Sequence, residues 1–263
     1  MTGRRRVVLI TGAAGLIGRV LADRLRDRYD LRGLDRRAGP LPGVIGDLAD
    51  PLSLDAACRD VDAIVHLAGE SRVDASWPSV LRDNIAGTAA VFEAARRNSI
   101  ERVVFASSNH VVGQLEVEGE PAIYDAAGAT TIAADGPFRP DSLYGASKAF
   151  GEILGRYYSD RHGIRVVCLR IGSVLPEDDP WMAAVRLGGD PRQRYRRLRA
   201  TWLSHRDCSG LVAAALEADV RFAVVYGVSA NPRRFWDLGP AERLLGFRPL
   251  DAAPEDVPGA ASP

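Results

Sequence analysis

No apolar run near the start of this chain is long enough to span a bilayer or to serve as a signal segment. Val7–Thr11 follows the basic Met-Thr-Gly-Arg-Arg-Arg and stops after five residues. Cysteine is scarce. Cys58, Cys168 and Cys208 are odd in number and widely spaced, which fits neither a disulfide framework nor a metal site, and a reducing cytoplasm is the expected location. Excess charge is missing too: 34 basic side chains face 34 acidic ones over 263 residues. Neither nucleic acid nor a membrane surface is therefore an expected partner. Internal repeats are lacking, and low complexity is confined to the run from Ala252 to Pro263, which is expected to fray.

What is present begins with a nucleotide-binding pattern. Val7-Val-Leu-Ile-Thr11 reads as a buried parallel strand. Gly12-Ala-Ala-Gly15-Leu16-Ile17-Gly18 follows at once, and Arg19–Arg28 reads as an amphipathic helix. Strand, glycine turn and helix together are the context a dinucleotide site needs. Gly12 permits the turn, Gly15 lets backbone N–H groups approach a pyrophosphate, and Gly18 lets helix and strand pack. A second strand, Leu31–Asp35, ends on the acid expected to bind the adenosine ribose, which favours NAD over NADP. Arg36 and Arg37 are read as solvated charges, although an arginine there could pair with a 2′-phosphate. Val44–Leu48 is a third short strand, with Asp47 and Leu48 placed for the adenine. Val61–Gly69 is a fourth, whose small end, Leu67-Ala68-Gly69, leaves room for a cofactor, and His66 inside it reads as a core histidine. Ser71 lies in the following loop, at the carboxyl end of a strand, where ligands bind in open α/β sheets. Asn84 is expected to start a long helix running to Asn98 and to cap backbone near the site.

The middle of the chain carries chemistry. Arg102–Ala106 reads as a fifth strand that runs into Ser107-Ser108-Asn109-His110. Four polar side chains at the end of a buried strand suit a site better than a core. Ser108 is the candidate to bond a reacting oxygen, and Asn109 and His110 to bind substrate. Tyr144 and Lys148 are four apart in a helical pattern from Ser142 to Tyr158, so they share one face. An ammonium beside a phenol is expected to lower the tyrosine pKa and make it a base. Arg165–Ile171 is a sixth strand, followed by Ser173 on the same side. The segments Glu116–Gly136 and Glu177–Arg199 read as loops, the second rich in arginine.

Gly12-x-x-Gly15-x-x-Gly18, Asp35, Asp47-Leu48, Leu67-Ala68-Gly69, Asn84, Ser107-Ser108 and Tyr144-x-x-x-Lys148 occur in that order. Together they resemble the extended short-chain dehydrogenases/reductases of the NAD-dependent epimerase/dehydratase type. The resemblance covers nearly the whole chain. It implies a Rossmann-type α/β fold, a doubly wound parallel sheet with a small C-terminal substrate-binding part. One domain over 1–263 is expected, with 1–171 mainly the dinucleotide core and 172–263 mainly the substrate part and tail. It implies NAD as cofactor, with Ser108, Tyr144 and Lys148 as catalytic residues. Lys148 would also bond the nicotinamide ribose, and Ile171 would join the cofactor set. Phrases such as Phe-Ala-Ser-Ser-Asn-His (105–110), Arg-Ile-Gly-Ser (170–173) and Thr-Trp-Leu-Ser-His (201–205) resemble the uronate dehydrogenases. That similarity implies oxidation of a free hexuronic acid, galacturonate or glucuronate, at C1 to an aldarolactone. The sugar would be held by Ser71, Ser108, Asn109, His110, Tyr144 and Ser173, with an arginine before the Thr-Trp motif clamping its carboxylate. Counting back gives Arg197, with Arg196 as its rival. A homo-oligomer is also implied. Two other readings stay open: a sugar epimerase or dehydratase that keeps its NAD, and a non-catalytic dinucleotide sensor.

Overall fold

The computed structural model describes residues 4–125 and 131–256. Residues 126–130 of the expected Glu116–Gly136 loop, and 257–263 of the tail, lie outside them. The strands are β1 (Val7–Thr11), β2 (Asp30–Asp35), β3 (Gly43–Ile45), β4 (Ala63–His66), β5 (Arg102–Ser108), β6 (Arg165–Ile171) and β7 (Phe222–Gly227). The helices are α1 (Leu16–Leu25), α2 (Pro51–Cys58), α3 (Trp77–Val80), α4 (Gly87–Arg97), α5 (Gly113–Gly119), α6 (Leu143–His162), α7 (Pro180–Arg186), α8 (Pro191–Thr201), α9 (His205–Glu217) and α10 (Gly239–Leu245).

The seven strands form one parallel sheet in the order β3-β2-β1-β4-β5-β6-β7. Strands sandwiched by helices lose both faces to the core, which is why β1 and β5 are buried along their whole length. One apolar layer joins the sheet to α1, α9 and α10 through Leu21, Leu25, Leu211, Val212 and Leu245. The other joins it to α2, α4 and α6 through Leu54, Val91, Phe92 and Tyr158. Successive strands run outward in opposite directions from β1 and β4, which are paired in register from Val8↔Ala63 to Thr11↔His66. The crevice of such a sheet opens at the carboxyl ends of those two strands. His66, between them, is fully buried and bonded to Thr11 and Thr88, as a core histidine should be.

Four expectations change. The expected loop 116–136 starts inside α5, which runs to Gly119, and continues into a 3₁₀ turn over Ala122–Tyr124. α1 starts at Leu16 rather than Arg19, because the glycine turn is already over at Gly15, its N-cap. Asn84 does not start a helix: α3 and α4 are joined by a π-helical turn, Leu81–Ala86, with Asn84 inside it. The arginine-rich segment 177–199 is not a loop but contains α7 and most of α8. Both have an Asp-Pro start. Asp179 accepts from the N–H groups of Trp181 (2.7 Å) and Met182 (2.9 Å), and Asp190 from that of Arg192 (2.9 Å). An aspartate cap followed by proline at the first helical position is a sequence signal for a helix start, and Asp50-Pro51 opens α2 the same way.

Candidate active site

A cleft of about 770 Å³ opens along the carboxyl edge of the sheet. Its floor begins at the β1–α1 turn. Gly12 sits there at φ 73°, and a Cβ on it would lie 2.8 Å from the backbone N of Ala68. Gly15 caps α1 with no side-chain bond, so the first N–H groups of the helix are free to meet an anion. Asp35 is fixed beside them, accepting from the backbone N–H groups of Ala14 and Arg37, each at 3.0 Å. Arg36 stands between two carboxylates, 3.5 Å from Asp83 and 3.8 Å from Asp47. This end offers backbone donors, the Asp35 carboxylate, and an apolar wall at Leu48. That donor set fits an adenine dinucleotide.

Gly12, Gly15, Leu16, Ile17, Gly18, Asp35, Arg36, Asp47, Leu48, Leu67, Ala68, Gly69, Tyr144, Lys148 and Ile171 all line the cleft. So do Ser71, Ser108, Asn109, His110 and Ser173. Two expected residues do not. Asn84 stands behind the wall. Its Oδ1 accepts from the Glu70 N–H (2.7 Å), and its Nδ2 donates to the Glu70 carbonyl (3.0 Å) and the Ser147 hydroxyl (2.8 Å). It therefore caps the backbone of the loop after β4, as expected, and holds that loop against α6. Arg197 is turned onto Glu116, with Nε 2.6 Å from one carboxylate oxygen and Nη2 3.3 Å from the other. Its rival Arg196 pairs with Asp125.

The reactive end is built by three elements meeting. β5 delivers Ser108, buried at its last position, with its hydroxyl 3.2 Å from the Asn109 side-chain oxygen. α6 delivers Tyr144 and Lys148. Ser142 caps α6 by accepting from the Gly145 N–H at 3.0 Å. Gly145 lets the helix come close, since a Cβ there would lie 2.2 Å from the His110 carbonyl. β6 delivers Ile171 and then Ser173. The Ser173 hydroxyl lies 2.8 Å from that of Thr201, and the Leu203 N–H donates to the Ser173 carbonyl at 2.9 Å. The Thr-Trp-Leu phrase is thus the partner that pins Ser173.

Electrostatics at this end depart from the simple pairing of phenol and ammonium. Lys148 is buried, and burial alone pulls its ammonium down to about 8. Its Nζ donates to the Ala106 carbonyl at 2.8 Å and lies 5.7 Å from the Tyr144 ring centre. Tyr144 is pushed above its ordinary value, first by burial, although the Ser108 hydroxyl draws it down. The expected lowering of the phenol is therefore absent in the protein alone, because desolvation outweighs everything near it. His110 bonds Asp141 through Nδ1 at 2.6 Å. Burial raises the Asp141 carboxyl, but the bonds from His110 and Ser142 outweigh it and hold the group below its usual range. An ionised Asp141 only accepts, so Nδ1 of His110 carries a proton and the ring turns Nε2 away from Asp141.

Motif matching passes over three supports. Asp141 is one. A second is a buried ion pair, Arg170 forked onto Glu152 at 2.9 Å on both prongs, each side chain 2% exposed. Glu152 also accepts from the Ser107 hydroxyl at 2.5 Å, and Arg170 donates to Tyr226 at 3.2 Å. This network ties β5, α6 and β6 together beside Ser108 and Ile171. The third is a composition signal: Lys148 is the only lysine in a chain whose other basic residues are arginines. Arginine stays charged and forked when buried, whereas a lysine amine titrates.

Comparison with known proteins agrees with this geometry. The family model described as "NAD dependent epimerase/dehydratase family" matches residues 8–180. An NAD-dependent glucose-6-phosphate dehydrogenase of Haloferax volcanii is 38% identical, over 94% of this chain and 94% of its own length. An L-arabinose 1-dehydrogenase (NAD(P)(+)) of the same organism is 40% identical, over 93% and 96%. The crystal structure of a uronate dehydrogenase mutant from Agrobacterium tumefaciens, complexed with NAD, superposes with a TM-score of 0.75 at 33% identity, covering 97% of this chain and 92% of that one. With a glycine turn after β1, an aspartate closing β2 and a Tyr-Lys helix beside β5, and with relatives matched over 93% or more of its length, the chain belongs to the NAD-dependent epimerase/dehydratase family.

Proposed function

We propose that this protein is an NAD-dependent dehydrogenase that oxidises a free cyclic sugar at C1, with a hexuronate as substrate. The observation that carries the reading is that Ser108, Tyr144 and Lys148 stand at one end of a cleft whose other end holds the glycine turn and Asp35. Bound NAD supplies an acceptor for the hydride released from C1. Tyr144 binds the anomeric hydroxyl and takes its proton as the C1–H bond breaks. Ser108 donates to the same oxygen as it becomes the carbonyl of a lactone, which then opens by hydrolysis. Asn109, His110, Ser71 and Ser173 surround the ring hydroxyls with donors and acceptors. The hexuronate preference draws on the solved uronate dehydrogenase among the relatives, and on Arg197, one helical turn before Thr201.

A second reading, a neutral aldose, has its own support. The arginines of the lining are Arg36, Arg37 and Arg82, and they belong to the adenosine end. Arg197 is paired with Glu116, and one relative is named for L-arabinose. The test is formation of NADH by purified protein from NAD and, in turn, glucuronate, galacturonate, glucose 6-phosphate and L-arabinose. Turnover of a hexuronate with the highest kcat/KM supports the first reading, and turnover of L-arabinose alone supports the second. Tightly held NAD with no net NADH from any sugar contradicts both and returns the epimerase reading.

A further inference from the structure

His110 lines the cleft, whereas Asp141 stands behind it and has no part in the chemistry above. Their side chains are 19% and 13% exposed, and Nδ1 of the ring lies 2.6 Å from one carboxylate oxygen. The other oxygen accepts from the Ser142 hydroxyl at 2.8 Å, and that hydroxyl accepts in turn from the Gly145 N–H at 3.0 Å. A chain of bonds thus runs from the His110 ring to the first turn of α6, where Tyr144 sits. The His110 and Tyr144 ring centres are 5.8 Å apart, edge to face.

The backbone is built around this contact. The Arg139 N–H donates to the Val111 carbonyl at 3.0 Å, and the Gln114 N–H to the Arg139 carbonyl at 2.9 Å. The segment ahead of α6 is therefore fastened to the turn that carries His110. The His110 N–H itself donates to the Ser108 hydroxyl at 3.3 Å. Gly113 has an ordinary helical φ of -58°, so what its missing Cβ supplies is room: a Cβ there would run into the Asp141 carboxylate.

We propose that Asp141 is a positioning residue for the sugar, fixing the His110 ring so that Nε2 meets a hydroxyl of the substrate bound beside Tyr144. The proposal rests on the reading of the cleft as a sugar-oxidising site. An imidazole held at Nδ1 resists turning about its last side-chain bond, which leaves the edge that carries Nε2 to the cleft. A sugar hydroxyl both donates and accepts, so it bonds Nε2 whether or not that nitrogen carries a proton. Without the carboxylate the ring is free to turn, and a sugar that binds must first order it. A bond to a hydroxyl away from C1 is made equally before and during hydride transfer, so its loss falls on KM and not on kcat.

The experiment measures kcat and KM for whichever of the four sugars above turns over best, in wild type, Asp141→Ala, His110→Ala and the double variant. Asp141→Ala raises KM about tenfold without lowering kcat, and the affinity for NAD measured by titration does not move. His110→Ala raises KM by at least as much. The double variant matches His110→Ala, because without the ring the carboxylate has nothing to position. A merely structural Asp141 would add its cost to that of His110→Ala. An unchanged KM in folded Asp141→Ala, or two effects that multiply in the double variant, overturns the proposal. If a thermal melt shows that Asp141→Ala does not fold, Asp141→Asn takes its place. It keeps the shape but loses the charge that holds the Nδ1 proton, and KM rises in the same direction, with no further rise when His110 is already alanine. Wild-type protein that oxidises none of the four sugars overturns the functional reading and this proposal with it, whereas an unchanged KM overturns the proposal alone.

Discussion

Lys148 concentrates the electrostatic cost of the site in one atom. Its amine is buried, bonded to the Ala106 carbonyl, and held down to about 8 against an ordinary 10.5. Below pH 8 the folded and unfolded chains both carry the proton, and burial of the charge is a constant penalty. Between 8 and 10.5 the unfolded chain binds more protons than the folded one, so this residue's contribution to stability rises with pH. Urea unfolding of wild type and Lys148→Met is therefore expected to differ most below pH 8. The variant should be the more stable by about 3 kcal/mol there, and the gap should close towards pH 10.5. A gap that stays constant across that range contradicts the assignment. The pairing of Tyr144 and Lys148 was legible because their spacing is helical. The upward shift of the Tyr144 phenol was not, because it arises from burial by the neighbouring elements and not from either residue.

At the scale of elements, legibility follows how local the cause is. β1 and β6 follow their apolar runs, since a strand buried on both faces is built mostly of apolar side chains, and β6 admits Arg170 through its pairing with Glu152. α7 and α8 are missed by apolar periodicity, because α8 turns its arginines outward onto Asp125, Glu116 and the Glu255 carbonyl. Their Asp-Pro starts are the local signal that survives. The π turn at Leu81–Ala86 has no such signal: it places Asn84 where it bonds Glu70 and Ser147, a tertiary requirement. The approach of α6 to the Asn109–Val112 turn depends on Gly145. Gly145→Ala puts a methyl into the His110 carbonyl and pushes Tyr144 away from Ser108. Activity should fall about 10²-fold, as a misplacement of about 1 Å at a reactive group commonly costs, while NAD binding measured by titration changes little. Full activity in Gly145→Ala would show that the helix has slack.

On the scale of the whole molecule, the sheet places cofactor and chemistry on one edge and leaves a charged girder behind them. Glu152 and Arg170 join α6 to β6 with both charges out of water. Removing one partner strands the other, so Glu152→Gln is expected to destabilise the protein by about 3–5 kcal/mol in urea unfolding. Replacing both by apolar residues of similar volume should cost far less. Equal losses in the single and double variants would mean that the network matters through shape and not charge. The proposed reaction moves one hydrogen from the sugar to the nicotinamide. A hexuronate deuterated at C1 and unlabelled NAD, with the products weighed by mass spectrometry, follow that atom. One deuterium is expected in the reduced nicotinamide, and a lactone that carries none at C1. Reduced cofactor free of deuterium, or a labelled sugar returned with no net reduction, would contradict that transfer.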